Sequence, residues 1–309
     1  MITITTLQEA KEYLGDSAAA LGNFDGVHKG HQALIRRCVE LSKEKGLESV
    51  VFTFLNHPAN EVAGRNVIKN IMTLKEKAEA IEELGADALV SIPFDEKVMT
   101  SSPEEFVRDI LVGQLHARHA VCGFNYSFGY KGAGKPEDLK AFGDRYGFGV
   151  TVIDEFDIDD MPVSSTRIRR MLAEGNVSAY EKLTGRRYAI QGKVMQGQHL
   201  GRKMGFPTVN LSLNPDMALP LNGVYITEIY VNNIKYHSVT NIGNKPSVGN
   251  FTKNAETHIF NFSGDLYGQN IRVEFIDLLR PEIKFGSIEE LSAQIEKDCI
   301  EARAFHEGR

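Results

Sequence analysis

The stretch "LGNFDGVHKGHQALIRRC", residues 21–38, decides the fold. An apolar run, "AAALG", leads into it and a helical pattern leads out, so His28 and His31 stand where a strand hands over to a helix. A helix start offers unpaired backbone N–H groups and the positive end of a dipole, which favours a bound anion.

Outward from this junction the same alternation repeats as far as about residue 184. Short segments rich in Val, Ile, Phe and Ala ("AAALGNF", "ESVVFTF", "ADALVSI", "HAVCGF", "GVTVIDEF") are separated by helical stretches ("QALIRRCVELSKEKG", "TLKEKAEAIEELG", "PEEFVRDILVGQL", "EDLKAFGDRYG"). Strand then helix, repeated, predicts an α/β, doubly wound parallel sheet covered on both faces. Ligands of such folds bind beyond the carboxyl ends of the strands, where the strand order reverses.

Around "EKLTGRRYAIQGKV" the texture turns from helical to extended, with "YAIQGKVM", "FPTVNLSL", "GVYITEIYV", "IKYHSVTNIG", "THIFNF" and "IRVEFIDLL". Sheet without intervening helices implies an antiparallel barrel or sandwich. The pair joined across Asn232-Asn233 reads as a hairpin, because Asn tolerates positive φ. Ser287 followed by Glu290 predicts a capping box, and Ile288, Leu291, Ile295 and Cys299 mark one face of a closing helix expected on the outside of the barrel. Two domains follow, residues 1–184 and 185–309, as the length of 309 residues also suggests.

Composition is that of a globular protein, 42% hydrophobic and 25% charged. The formal net charge of −6 argues against a general nucleic-acid binder, which needs clustered Lys and Arg. The short basic clusters "IRR", "RIRR", "GRR" and "GRK" suit a small phosphorylated ligand better. Cys38, Cys122 and Cys299 are far apart and form no C-x-x-C pair. The amino terminus lacks signal-peptide character and no apolar run approaches a membrane span of about 20 residues, so the expectation is a cytoplasmic enzyme.

Gly22, Gly26 and Gly30 let the backbone approach an anion, and two histidines at i and i+3 share a helix face. Together they suit the phosphates of a nucleotide. A metal site is the competing reading, and it needs a third ligand, for which His57 is the nearest candidate by sequence. Ser164, Ser165 and Thr166 place hydroxyls at a helix start, with Arg167 and Arg169 beyond, a natural grip for pyrophosphate. "GFNYSFG", residues 123–129, taken alone reads as a Gly-rich turn with core aromatics.

"GNFDGVHKGH" resembles the H-x-G-H signature of the nucleotidyltransferase superfamily, in the form typical of bacterial FAD synthetases. "SSTRIRR" and "GFNYSFG" resemble two further signatures of those enzymes, and the three come in the family's order. The resemblance implies ATP and phosphate binding at Gly22, Phe24, Gly30, Ser164, Ser165 and Thr166. It implies catalytic roles for His28 and His31 as donors to phosphate and for Arg169 as partner of the leaving group. Asn125 is expected to position the flavin acceptor or the ribose. A phosphate nucleophile, with a second pKa of about 6, needs no strong general base. The site should instead stabilise charge on the phosphoryl oxygens.

In "GQHLGRKMGFPTVN" three glycines recur every four residues beside Arg202 and Lys203, before a strand. The pattern is no Walker A sequence. Thr208 and Asn210 are two apart on that strand and point to one face; a hydroxyl and an amide oxygen suit Mg²⁺. This segment resembles the G-x-x-x-G-[FY]-P-T-A-N signature of riboflavin kinases, with Val209 where the family usually has Ala; alternation turns Val209 away from Thr208 and Asn210. The resemblance implies ATP binding at Gly201, Lys203 and Gly205, and "ETHIFNFSGDLYG" resembles the segment that carries the family's catalytic glutamate, here Glu256.

The resemblance covers nearly the whole chain and implies a bifunctional riboflavin kinase and FMN adenylyltransferase. Its substrates would be ATP, riboflavin and FMN, with Mg²⁺ as cofactor and neither nucleic acid nor membrane as partner. Three alternatives stay open: the same fold with only the adenylyltransferase half active, a non-catalytic flavin-binding protein, and a protein like the aminoacyl-tRNA synthetases, which share the H-x-G-H element. The last lacks support from any K-M-S-K-S-type segment.

Overall fold

The structure, a computed structural model, describes the backbone of residues 1–196, 204–247 and 250–308, and side chains within these except at 245–252. The chain divides into two compact units, Met1–Ser165 and Thr166–Arg309. The domain boundary expected after residue 184 falls inside the second unit.

The first unit is built on a six-stranded sheet ordered β1-β4-β3-β2-β5-β6, and every pairing in it is parallel. The strands are β1 (Ile2–Ile4), β2 (Ser17–Leu21), β3 (Glu48–Phe54), β4 (Ala88–Ile92), β5 (Ala117–Gly123) and β6 (Gly149–Ile153). Burial on both faces explains the near-continuous apolar runs. In β2, Ala19 and Leu21 join the core on one face, and Ala18 and Ala20 that on the other. Edge strand β1 is too short to carry a period and leaves no signal in the sequence. A small antiparallel ribbon, β7 (Asp157–Ile158) with β8 (Met161–Pro162), follows the sheet.

Chain order runs β2, β3, β4 in one direction and then jumps to β5 on the other side of β2, so the order reverses between β2 and β5. Leu21 pairs with Cys122 across that junction. The segments that leave these two strands, "GNFDGVHKGH" and "GFNYSFG", therefore flank the crevice where such sheets bind ligands.

The second unit is a closed antiparallel barrel ordered β10-β13-β12-β11-β14-β9. Its strands are β9 (Ala189–Met195), β10 (Thr208–Ser212), β11 (Gly223–Val231), β12 (Ile234–Ser247), β13 (Asn250–Ile259) and β14 (Asn270–Pro281). The expected hairpin is present: Val231 pairs with Ile234, with Asn232 and Asn233 at φ +50° and +63°. Leu211, Ala255 and Ile242 are buried and lie opposite one another across β10, β13 and β12, which marks the inner face.

Helices Ser165–Ala173 and Val177–Thr184 precede the barrel, and Leu221 N–H donates to Leu172 O within the second unit. Helix Ile288–Glu307 lies on the outside of the barrel, where Cys299 and Ala302 pack with Val224, Ile226, Val239 and Ile276. Ser287 caps it by accepting from Glu290 N–H. Glu290 in turn accepts from Gly286 N–H, one residue before the cap, in place of the reciprocal bond of a capping box. Ile288, 59% exposed, stays outside the packed face expected for it.

Candidate functional site

The turn from β2 into helix Lys29–Lys45 is strained, with Phe24, Gly26 and Val27 at φ +46°, +83° and +35°. For Phe and a β-branched Val this costs about 1–3 kcal/mol each. The surroundings hold the turn by about half a dozen hydrogen bonds, each contributing roughly 0.5–1.5 kcal/mol, enough to offset the strain. Thr53 Oγ1 and Lys77 Nζ both donate to Asn23 O, at 2.9 and 3.0 Å. Ser165 Oγ donates to Asp25 O at 2.8 Å, and Gln32 Nε2 to Val27 O at 2.9 Å. The Asp25 carboxylate accepts from Ile71 and Met72 N–H.

Phe24 is wholly buried and its ring lies where a Cβ on Gly22 would sit, at 3.0 Å. Glycine at 22 and the positive φ at 24 are thus one device, which folds the ring under the turn. His28 is the N-cap of the helix: its Nδ1 accepts the His31 N–H at 3.2 Å, so a neutral ring carries its proton on Nε2. The two imidazoles stack at 3.6 Å, and the Phe24 ring meets His31 edge-on at 5.2 Å. A Cβ on Gly30 would come within 3.3 Å of His28 Nδ1.

Burial pushes His28 down to about 4. Burial, with His28 and Lys77 nearby, holds His31 well below its usual value. Both rings are neutral at pH 7, so they offer N–H dipoles rather than positive charge. His31 Nδ1 is buried without a hydrogen-bond partner, the mark of a group placed for something other than packing. His57, the third ligand a metal reading would need, instead caps helix Pro58–Ala63 by accepting from Ala59 N–H.

Sequence reasoning missed Lys77 and Thr53, which lie in no motif, and gave no role to Asp25 although it sits inside "GNFDGVHKGH"; all three hold the turn. Of the "SST" hydroxyls, Ser165 reaches back to the Asp25 carbonyl, Ser164 is half-buried and Thr166 is exposed. Arg169 stands one turn after Ser165 on helix Ser165–Ala173 and, like Thr166, belongs to the second unit. At the end of β5, Asn125 is exposed whereas Phe128 is in the core with Tyr126 packed against it. Tyr126 and Phe128 of "GFNYSFG" are structural, whereas Phe124 is 46% exposed and the Asn125 amide faces outward.

In the barrel, strand pairing assembles a second constellation. Asn210 lies directly opposite Glu256, and Thr208 opposite His258, across β10 and β13; Asn241 flanks Glu256 on β12. Asn254 Nδ2 donates to Glu256 Oε1 at 3.0 Å, which orients the carboxylate. His258 Nδ1 contacts Pro207 O at 2.9 Å. Val209 pairs with Thr257 on the inner face, next to a chain of hydroxyls through Thr240 to Thr227. Asn210 Oδ1 is buried and without a hydrogen-bond partner. With the Thr208 hydroxyl and the Glu256 carboxylate beside it, this oxygen set fits a hard divalent cation such as Mg²⁺. Gly205, at φ +88°, enters the strand, while Gly201 and Lys203 lie outside the described residues. Asn241, Asn254 and His258 were not legible beforehand, because only register brings them to Glu256.

A third group, Glu228, His237 and His306, gathers within 4.8 Å. Its carboxylate is already bracketed by Arg187 and Lys235. That pairing satisfies the carboxylate's charge without a metal, and the stacking of His306 on His237 at 4.0 Å ties the closing helix to the barrel.

Comparison with known proteins matches two families in tandem: the one described as FAD synthetase over residues 10–167, and riboflavin kinase over residues 184–306. The chain belongs to the family of bifunctional riboflavin kinase/FMN adenylyltransferases. The relative of that name from Listeria monocytogenes is 38% identical, over 93% of this chain and 91% of its own. The one from Haemophilus influenzae is 35% identical over 99% of both. The crystal structure of a protein named macrolide-efflux protein, from Streptococcus pneumoniae, has a TM-score of 0.88 at 30% identity, over 98% of this chain and 99% of that one. Efflux is said of that protein alone; among the described residues here no helix is long and apolar enough to cross a membrane.

Proposed function

We propose that the chain makes FAD from riboflavin in two ATP-dependent steps. The barrel transfers the γ-phosphoryl group of ATP to riboflavin, giving FMN and ADP. The first unit's site then joins FMN to the adenylyl group of a second ATP, releasing pyrophosphate. Family membership supports both activities, and the observation that carries the kinase half is the register that sets Glu256 opposite Asn210.

In the kinase step Glu256, oriented by Asn254, accepts the proton of the riboflavin hydroxyl, which is a poor nucleophile until that proton has somewhere to go. Thr208 and Asn210 would hold Mg²⁺, which, when bound, neutralises charge on the ATP phosphates. Adenylylation needs no base, because the FMN phosphate is already ionised. Neutral His28 and His31, with the N–H groups of helix Lys29–Lys45, donate to the α-phosphoryl oxygens as charge grows there. Arg169 meets the departing pyrophosphate, and Asn125 positions FMN. Gly22 and Phe24 shape the turn for ATP, Ser164 and Thr166 contribute hydroxyls, and Gly201, Lys203 and Gly205 bind the kinase's ATP.

The division of labour we propose is residues 1–184 for adenylyl transfer and 185–309 for the kinase. The second family match, beginning at residue 184, supports it. The work belongs in the cytoplasm, with small molecules and neither nucleic acid nor membrane as partners.

A chromatographic time course of flavins, started from riboflavin or from FMN with ATP and Mg²⁺, tests the reading. FMN first and FAD after is expected. FAD from FMN but nothing from riboflavin would limit the chain to the adenylyltransferase. Flavin binding without ATP consumption would overturn both halves.

A further inference from the structure

On helix Leu74–Glu82, Lys77 shares a face with Ala80 and Ile81, three and four residues on. Ala80 and Ile81 are core residues, 3% and 0% exposed, and Lys77 is 8% exposed on the same face. Burying an ammonium is costly unless it is paired and hydrogen-bonded. The hydrogen bond made here is to Asn23 O at 3.0 Å, in the turn that precedes His28. The segment leading into the same helix donates the Ile71 and Met72 N–H groups to Asp25. One element therefore grips the strained turn at both ends of the Asn23–Asp25 segment.

We propose that Lys77 is a positioning residue for adenylyl transfer: its buried ammonium holds the Asn23 carbonyl, and through it the strained turn that presents His28 and His31. The inference rests on the adenylyltransferase reading above and deepens it. Holding by charge adds what an apolar side chain cannot: alongside burial, the main cause, and His28, the ammonium helps keep the His31 ring neutral, in the form that donates without competing for the substrate's protons. Among the described residues, the charged and titratable groups that act on His31 include His28, stacked on it, and Lys77, with Asp25 facing Lys77.

Lys77→Met, close in length and without charge, should lower kcat/KM for FAD formation from FMN by about 100-fold, the scale of a misplacement of roughly 1 Å in a reacting group. FMN formation from riboflavin in the same protein should stay within about two-fold, since both are ratios for one folded chain. In parallel, the acidic limb of the FAD-forming pH profile should move upward, because His31 loses a positive neighbour. An unchanged rate of FAD formation in Lys77→Met overturns the proposal. Should that variant fail to fold, Lys77→Gln keeps a donor for the Asn23 carbonyl without the charge. It is expected to shift the acidic limb with a smaller loss of rate, and a wild-type rate with a wild-type limb overturns the proposal. NMR titration of His31 in wild type and Lys77→Gln separates this inference from its parent. If the wild type makes no FAD, the adenylyltransferase reading fails, whereas a His31 titration unmoved by the substitution counts against Lys77 itself.

Discussion

The two candidate sites are built in opposite ways. The first is a turn of backbone: Gly22 to His31 lie within ten consecutive residues, at positive φ in three places, with neutral imidazoles, His28 buried and His31 half-buried, at a helix start. The second is a patch of side chains on regular sheet, where Asn210 and Glu256 meet only because β10 and β13 pair in one register. A strained turn presents N–H groups to an anion but is poor at holding a base. Two neighbouring strands set a carboxylate beside amide and hydroxyl oxygens without strain, which suits a proton acceptor and a hard cation. The contrast tracks the chemistry proposed for each: one nucleophile arrives ionised and the other must be deprotonated.

The sharpest way to break this comparison is Glu256→Gln. It keeps shape and the neighbouring Asn254 contact while removing the base, and should lower FMN formation by about 10³-fold, the middle of the range for general-base catalysis. FAD formation from supplied FMN should be untouched; a flavin time course from each substrate reads both. His31→Ala should do the reverse, reducing FAD formation by about 10²-fold, as loss of one oxyanion donor does. Loss of both reactions in a still-folded variant of either kind would sink the two-site picture.

Acid should separate the two units by stability. His28 is depressed from 6.5 to about 4 in the folded protein, so between those values the unfolded chain binds the extra proton. Its contribution is therefore present above pH 6.5 and is lost as pH falls toward about 4. That amounts to on the order of 3 kcal/mol for this one group, and His31 adds to it in the same direction. Thermal unfolding of the first unit, followed from pH 7.5 to 4.5, should weaken steadily; a flat profile would place the histidines in water rather than under the turn.

The smallest effect concerns Val209. Its side chain faces the barrel interior opposite Thr257, away from Asn210. Val209→Ala should leave kinase turnover within about two-fold and cost roughly 1 kcal/mol in stability, as loss of two partly buried methyl groups does. A large gain in turnover would show that the valine impairs the native site.

Much of this was readable in advance, for reasons that differ by region. The parallel sheet showed itself because strands buried on both faces are continuous apolar runs, and the Asn232-Asn233 turn because Asn tolerates positive φ. Edge strand β1, three residues long, has no period to read. The closing helix packs through Ile295, Cys299 and Ala302, while Ile288, which has the right spacing, finds no core to enter. Spacing selects a face but not how much of it is covered.

By itself the sequence determined the two architectures and which groups stand at the mouth of helix Lys29–Lys45, since strand, turn, cap and imidazoles are neighbours along the chain and their preferences are local. Only the tertiary structure decided that His28 and His31 are neutral, that Lys77 and Asp25 hold their turn, and that Asn210, Glu256 and Asn254 form one group. Burial and strand register depend on contacts between residues far apart in sequence. A one-residue slip of β10 against β13 would leave every residue type in place and send Asn210 to the wrong face.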